Sequence, residues 1–83
     1  MNFEQACVLV KKLKRRPADE ELLNLYGLYK QATSGDCKEA EPWMWEVEKK
    51  AKWSAWKANA GKLPDQAKKE YIIYVYQLMK IYN

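Results

Sequence analysis

An all-α fold, a bundle of four helices, is what this sequence predicts, and three observations predict it. Helix breakers are few and regularly placed: Pro17, the Ser34-Gly35-Asp36 turn, Pro42 and the Gly61 to Pro64 stretch divide the chain into four segments. Each segment repeats its apolar residues with a period of about 3.6, and none alternates with period two over a strand's length. Aromatic residues, among them four Trp and six Tyr, recur along the whole chain, which argues against disorder.

The first helix is predicted over about residues 3–14. Phe3, Ala6, Cys7, Val10 and Leu13 form its apolar stripe, flanked by Lys11, Lys12 and Lys14. Pro17 ends the segment, and Lys14, Arg15 and Arg16 stand where cations favour a helix C-terminus. The second helix spans about residues 19–33, with Asp19 as N-cap and Glu20 and Glu21 in the first turn. Leu22, Tyr26, Tyr29 and Thr33 share a stripe, Leu23 and Lys30 lie along its edge, and Gly35 closes the helix. The third helix, about 46–59, carries Trp53, Trp56 and Ala60 on one side, read as core, and Val47, Ala51, Ser54 and Ala58 on the other. The fourth, about 65–82, presents Ala67, Tyr71, Tyr74, Val75, Leu78 and Tyr82 as a broad apolar face.

Eighty-three residues suffice for one domain with one modest core, so the chain reads as a single domain over 1–83. No apolar run approaches the ~20 residues that span a bilayer. The N-terminal Met-Asn-Phe-Glu-Gln lacks the cationic start and apolar core of a signal peptide, so a soluble, cytoplasmic protein is expected. Cys7 and Cys37 make no disulfide framework and read as free thiols. The chain has no His, which removes the commonest general base and metal ligand, so neither a metal site nor a cofactor is expected. A net charge of +4 fits an anionic partner without choosing among nucleic acid, lipid and phosphorylated small molecule.

Apolar stripes are needed by any bundle, so function is sought in polar and aromatic residues at their edges. Tyr26, Tyr29 and Lys30, Lys52 beside Trp53, and Tyr71 are of this kind. A phenol and an ammonium together donate to a phosphate oxygen, and the phenol ring offers a stacking face to a base. The plainer reading, a core aromatic beside a solvated lysine, stays open on spacing alone.

Two blocks, Leu25-Tyr-Gly-Leu-Tyr-Lys-Gln-Ala-Thr-Ser-Gly-Asp36 and Lys50-Ala-Lys-Trp-Ser-Ala-Trp56, resemble the signatures of the acyl-CoA-binding protein family. Leu13-Lys-Arg-Arg-Pro-Ala-Asp-Glu-Glu-Leu-Leu23 is similar to that family's first junction, and Asp65-Gln-Ala-Lys-Lys-Glu-Tyr71-Ile to its last helix. The resemblance runs over essentially the whole chain without a large insertion. It implies an up-and-down bundle with a cup on one face, a non-enzymatic, monomeric carrier and pool former for medium- to long-chain fatty acyl-CoA esters. By position, it implies that Tyr26, Lys30 and Lys52 hold the 3′-phosphate of the adenosine. Tyr29 and Tyr71 would then lie against the nucleotide, with Lys11 at the cup's edge, and Gly27 and Leu28 are expected among the ligand-binding residues as well. Leu22, Leu23 and Ala51 would line the acyl path, with Phe3 and Cys7 near its far end.

The chain departs from the family pattern in its second loop. Pro42-Trp43-Met44-Trp45 stands where Gly commonly follows the proline, Val47 replaces a frequent aromatic, and Lys49 a common Gly. Trp43 and Trp45 are expected either to close over the acyl chain or to pack on the core, at least one of them on the core. The run Tyr71-Ile-Ile-Tyr-Val-Tyr76 places Ile73 and Tyr76 opposite the core face, as ordinary exposed residues or as a weak membrane or protein docking patch. The competing class is a basic helical module for protein or nucleic acid. Acidic residues in every segment and the lack of a continuous basic face count against nucleic acid. A thioesterase is weaker still, since no acidic residues form an evident catalytic pair.

Overall fold

The chain begins with a reciprocal cap. The Asn2 side chain accepts from the Gln5 amide at 2.8 Å, and the Gln5 side chain accepts from the Asn2 amide at 2.9 Å, satisfying two donors at the start of α1 (Phe3–Val10). A computed structural model describes all residues, 1–83, as four helices: α1, α2 (Asp19–Ser34), α3 (Val47–Lys57) and α4 (Pro64–Tyr82). No strand is present.

α1 is shorter than the predicted 3–14. The Lys11 and Lys12 amides turn back to Val8 and Leu9 carbonyls, which tightens the last turn and ends the helix. Residues 13–17 then run as an irregular link, consistent with the extended backbone that Pro17 imposes on Arg16. The basic cluster therefore does not complement the dipole of α1. Instead, the Arg15 amide donates to Tyr82 O at 3.2 Å, its guanidinium donates to Ile81 O, and it stands 5.6 Å over the Tyr82 ring. Arg15 thus caps α4, where backbone carbonyls lack partners and a cation is favoured.

The predicted cap of α2 also shifts by one residue. Ala18 is the N-cap, and Asp19 is the first helical residue, paired with Arg16 at 2.9 Å. Glu21 reaches back to the Ala18 amide at 2.9 Å and accepts from the Tyr82 hydroxyl, which joins the start of α2 to the end of α4. That bond raises the Tyr82 pKa above its ordinary value, with desolvation as the second cause. At the other end Gly35 takes φ 76° and ψ −153°, a conformation that costs any side-chain-bearing residue.

The core joins three helices. Phe3 and Ala6 of α1, Leu25, Leu28 and Ala32 of α2, and Ala67, Tyr71, Val75 and Leu78 of α4 form one buried cluster. Each fully buried Leu or Val contributes about 1.5–3 kcal/mol. α2 and α4 make the most extensive contact; α1 packs on α4, and α3 on α2. α1 and α3 do not touch, and the molecule is flat, 36 × 27 × 15 Å.

α3 is attached differently from what its Trp residues predict. Trp56 is buried and Trp53 half-buried, but neither joins the central cluster. Their indole nitrogens donate to loop carbonyls, Trp56 to Gly35 O at 2.8 Å and Trp53 to Glu39 O at 2.9 Å. Gly27 lets α3 come close: a Cβ there would lie 2.3 Å from Ala55 O. The fully buried Gln31 side chain donates to Asp36 Oδ1 and to Lys62 O, both at 2.8 Å, and Gly61 donates to the same carboxylate at 2.9 Å. Both neighbours of Nε2 are acceptors, which fixes the amide's orientation, and Oε1 has no partner. Trp43 and Trp45 do not pack on the core; they stack on each other in the α2–α3 loop, exposed. Ile73 and Tyr76 are exposed on α4, as predicted.

Gly27→Ala is expected to lower unfolding free energy by about 1–3 kcal/mol or more, since a backbone carbonyl has to move to admit the methyl; unchanged urea denaturation would show that α3 is not seated as described. Asp36 and Glu70 have lowered pKa values, Asp36 chiefly from the Gln31 and Gly61 hydrogen bonds, Glu70 chiefly from Lys62 at 2.8 Å. Because both are depressed in the folded state, their stabilisation is present above the ordinary carboxylate range near pH ~4 and is lost as pH falls through the folded values. Asp36→Asn and Glu70→Gln should each flatten the acid side of the stability profile. Retention of the full wild-type slope in both variants would contradict this assignment.

Candidate functional site

The predicted stripe of α2 lies at the margin of the core, with Leu22 packed against the buried cluster, and open space flanks it on both sides of the helix. Leu25, Leu28 and Ala32 turn inward, leaving Leu22 and Tyr26 half-buried and Tyr29 exposed. Two cavities result. The first, of about 820 Å³, lies between α1, the basic link, α2 and α4, and includes Phe3, Cys7, Lys11, Tyr26, Tyr29 and Tyr71 in its wall. The second, of about 660 Å³, lies between α2 and α3, walled by Leu22, Leu23, Tyr26, Val47, Ala51 and Lys52 among others. Arg16, Leu22 and Tyr26 belong to both, so this edge of α2 is a ridge between the two.

An aromatic trio forms part of the first cavity's wall. Phe3 stacks on Tyr29 with centroids 6.0 Å apart and meets Tyr71 edge-on at 5.1 Å. Tyr29 and Tyr71 are 6.4 Å apart, and Lys68 Nζ stands 5.7 Å over Phe3. Tyr71 is buried, and desolvation, followed by the neighbouring Cys7 thiol, raises its pKa. Its phenol is a neutral donor at physiological pH, next to a thiol that stays free.

The cations line the seam between α2 and α3. Lys52 Nζ stands 5.6 Å over Tyr26 and 3.7 Å from Glu48, while Lys30 Nζ stands 4.7 Å over Trp56. Tyr26 and Lys30 are one turn apart on α2, and Lys52 and Trp56 one turn apart on α3, so the two pairs face each other in register. Ammonium groups held over aromatic faces can turn toward a phosphate; Lys52 is exposed and Lys30 half-buried.

Of the site residues expected from the sequence, Phe3, Cys7, Lys11, Tyr29 and Tyr71 meet in the first cavity. Leu23, Ala51 and Lys52 meet in the second, and Leu22 and Tyr26 border both. Lys30 lies on the seam, in neither wall. Gly27 and Leu28 face elsewhere, Gly27 under the backbone of α3 and Leu28 in the core. Sequence reasoning missed Arg15 and Arg16, which line the first cavity, because their charge was assigned to the end of the first helix. The signal was there in part: a run of cations before a proline need not remain helical. No group of three or more His, Cys, Asp or Glu side chains is placed to hold a metal.

Comparison with known proteins gives a consistent result. The family described as "Acyl CoA binding protein" matches residues 1–75. The chain is 48% identical over 80 residues to an acyl-CoA-binding protein of Dictyostelium discoideum, covering 96% of this chain and 95% of that one. It is 48% identical over 79 residues to an acyl-CoA-binding protein of Brassica napus, covering 95% and 86%. Among solved structures, acyl-CoA-binding protein 2 of Oryza sativa superposes with a TM-score of 0.90 at 39% identity, over 95% of this chain and 88% of that one. A protein from Moniliophthora perniciosa gives 0.89 at 32% identity, over 98% and 80%. With a family match over most of its length and relatives of this similarity, the chain belongs to the acyl-CoA-binding protein family.

Proposed function

We propose that this chain binds medium- to long-chain fatty acyl-CoA esters without transforming them, acting as a monomeric cytoplasmic carrier and pool former in which residues 1–83 work as one domain. The observation that carries the reading is the ridge at Leu22 and Tyr26, where a cavity walled largely by apolar and aromatic groups meets a seam bearing Lys30 and Lys52. A ligand with a polyanionic head and a long apolar tail fits such a junction, and the relatives' printed names supply the class.

In this reading Tyr26, Lys30 and Lys52 donate to the 3′-phosphate, a compact dianion suited to charge-assisted hydrogen bonds. Tyr29 and Tyr71 lie against the nucleotide, with Tyr71 donating as a neutral phenol, and Lys11 adds positive charge at the rim. The acyl chain follows Leu22, Leu23 and Ala51, with Phe3 and Cys7 toward its far end. Each methylene withdrawn from water contributes about 0.8 kcal/mol, so affinity rises with chain length until the path is full. Gly27 and Leu28 support the site from behind. The sequence contains no His, and the ligand needs no cofactor to be held. No helix is long and apolar enough to cross a membrane.

Calorimetric titration with palmitoyl-CoA, with free coenzyme A and palmitate as controls, tests the reading. One-to-one binding that needs both halves of the ligand is expected. Lys30→Ala should weaken it by about 1.5–3 kcal/mol, the scale of a charge-assisted contact, while Lys69→Ala, an exposed lysine lining neither cavity, should not. Absence of binding, alongside salt-sensitive binding to an oligonucleotide, would favour the nucleic-acid alternative.

A further inference from the structure

The largest concentration of exposed apolar side chains lies outside both the core and the aromatic trio. Trp43, Met44, Trp45 and Val47 are 67%, 76%, 70% and 73% exposed, four large apolar groups within five consecutive residues. Such a patch on a small water-facing surface calls for an occupant. It is also preformed. The Trp43 amide donates to Glu46 Oε2 at 3.0 Å, the Glu46 amide donates to Trp43 O at 2.9 Å, and the two indoles lie parallel, 2° apart, with centroids at 5.1 Å.

We propose that this loop is a docking face for the interfacial region of a phospholipid bilayer, set at the mouth of the α2–α3 cavity. Three observations favour a bilayer. First, the patch is continuous with the cavity: Val47, the first residue of α3, belongs to the exposed patch and also to the wall formed with Leu22, Leu23 and Ala51. An acyl chain moving between bilayer and cavity along this wall stays out of water.

Second, the charges around the patch do not oppose lipid phosphates. Of the carboxylates flanking it, Glu41 is paired with Lys50 at 3.3 Å, Glu46 with Lys49 at 3.6 Å, and Glu48 with Lys52 at 3.7 Å. These exposed pairs add little stability, but each cancels a negative charge that would face the headgroups, on a chain of net charge +4. Third, indole rings favour the headgroup boundary, and four side chains offer far less than the roughly 800 Å² per partner of a stable protein interface. The α4 patch at Ile73 and Tyr76 is the weaker candidate, because it offers two large apolar side chains against four and borders neither cavity. The purpose given to docking rests on the carrier reading, but the docking itself rests on the loop.

The test mixes the whole chain with vesicles of phosphatidylcholine, with and without phosphatidylserine, and measures the bound fraction by flotation. The wild type should bind, more when phosphatidylserine is present, with a blue shift of Trp emission. Trp43→Ser with Trp45→Ser should reduce vesicle affinity at least about tenfold and remove that shift, while palmitoyl-CoA affinity in vesicle-free buffer is kept. Ile73→Glu with Tyr76→Glu should bind vesicles as the wild type does. Vesicle binding undiminished in the double Trp variant, lost only in the α4 variant, or absent from the wild type would overturn the proposal. So would self-association through the loop, seen in sedimentation as a wild-type dimer absent from the variant, without vesicle binding. If palmitoyl-CoA fails to bind but the Trp-dependent vesicle contact remains, the carrier reading falls and the docking face stands.

Discussion

The packing of α2 against α4 is the contact on which the rest of the molecule depends. Leu25, Leu28 and Ala32 on one helix and Ala67, Tyr71, Val75 and Leu78 on the other supply most of the buried cluster. Once these faces meet, neither remaining helix can bury itself equally against both. α1 lies on α4 through Phe3 and Ala6, α3 lies on α2, and the two stay apart. The flat shape and the two cavities beside α2 are consequences of that division. A closed bundle would have filled with side chains the space that here borders Tyr26 and Leu22.

Apolar contact alone does not hold this open arrangement, because the two outer elements have few buried residues. Directional bonds at the ends take over. Arg15 and Glu21 fasten the link after α1 and the start of α2 to the last turn of α4, through the Ile81 and Tyr82 carbonyls and the Tyr82 hydroxyl. Gln31, Asp36, Gly61 and the Lys62 carbonyl tie together the loops on both sides of α3. α3 itself hangs on two indole hydrogen bonds and the Gly27 approach. The seam that carries Lys30 and Lys52 is therefore positioned by Gly27, Trp53, Trp56 and the Gln31–Asp36 bond, none of which lines either cavity.

Helix number and order were legible because Pro17, Gly35, Pro42 and Pro64 interrupt four clear periodic patterns. α4 is the best case, since its apolar face corresponds to one packed surface. The end of α1 was not legible. Lys11 to Arg16 reads as a cationic helix end, and only the distant partner, the last turn of α4, shows that Arg15 serves another helix. The roles of Trp53 and Trp56 were hidden for a similar reason: a Trp on a periodic stripe reads as core, whereas its N–H partner is a loop carbonyl far along the chain. Trp43 and Trp45 reverse the case, since hydrophobicity predicts burial but a local turn held by Glu46 keeps them outside. Of the candidate site, Tyr26, Tyr29, Lys30, Lys52 and Tyr71 could be named from motif blocks. Their division between two cavities on either side of one ridge required the helix packing.

Under the proposed carrier reading, the same packing accounts for how a ligand is held. Burial raises the pKa of Tyr71, the most enclosed polar group of the aromatic trio, further above its already high ordinary value. The lysines of the seam rest over Tyr26 and Trp56, with Glu48 beside Lys52. In the proposed reading these are contacts that a phosphate replaces without exposing an unpaired buried charge. A group poised to attack would instead need a desolvated base or nucleophile aimed at the reacting atom. In the two cavity walls the buried residues, Phe3, Pro17, Leu25 and Tyr71, are apolar or aromatic, while Lys11, Arg15, Arg16 and Lys52 are exposed. Under the proposed reading, that order serves a long apolar tail joined to a phosphorylated head.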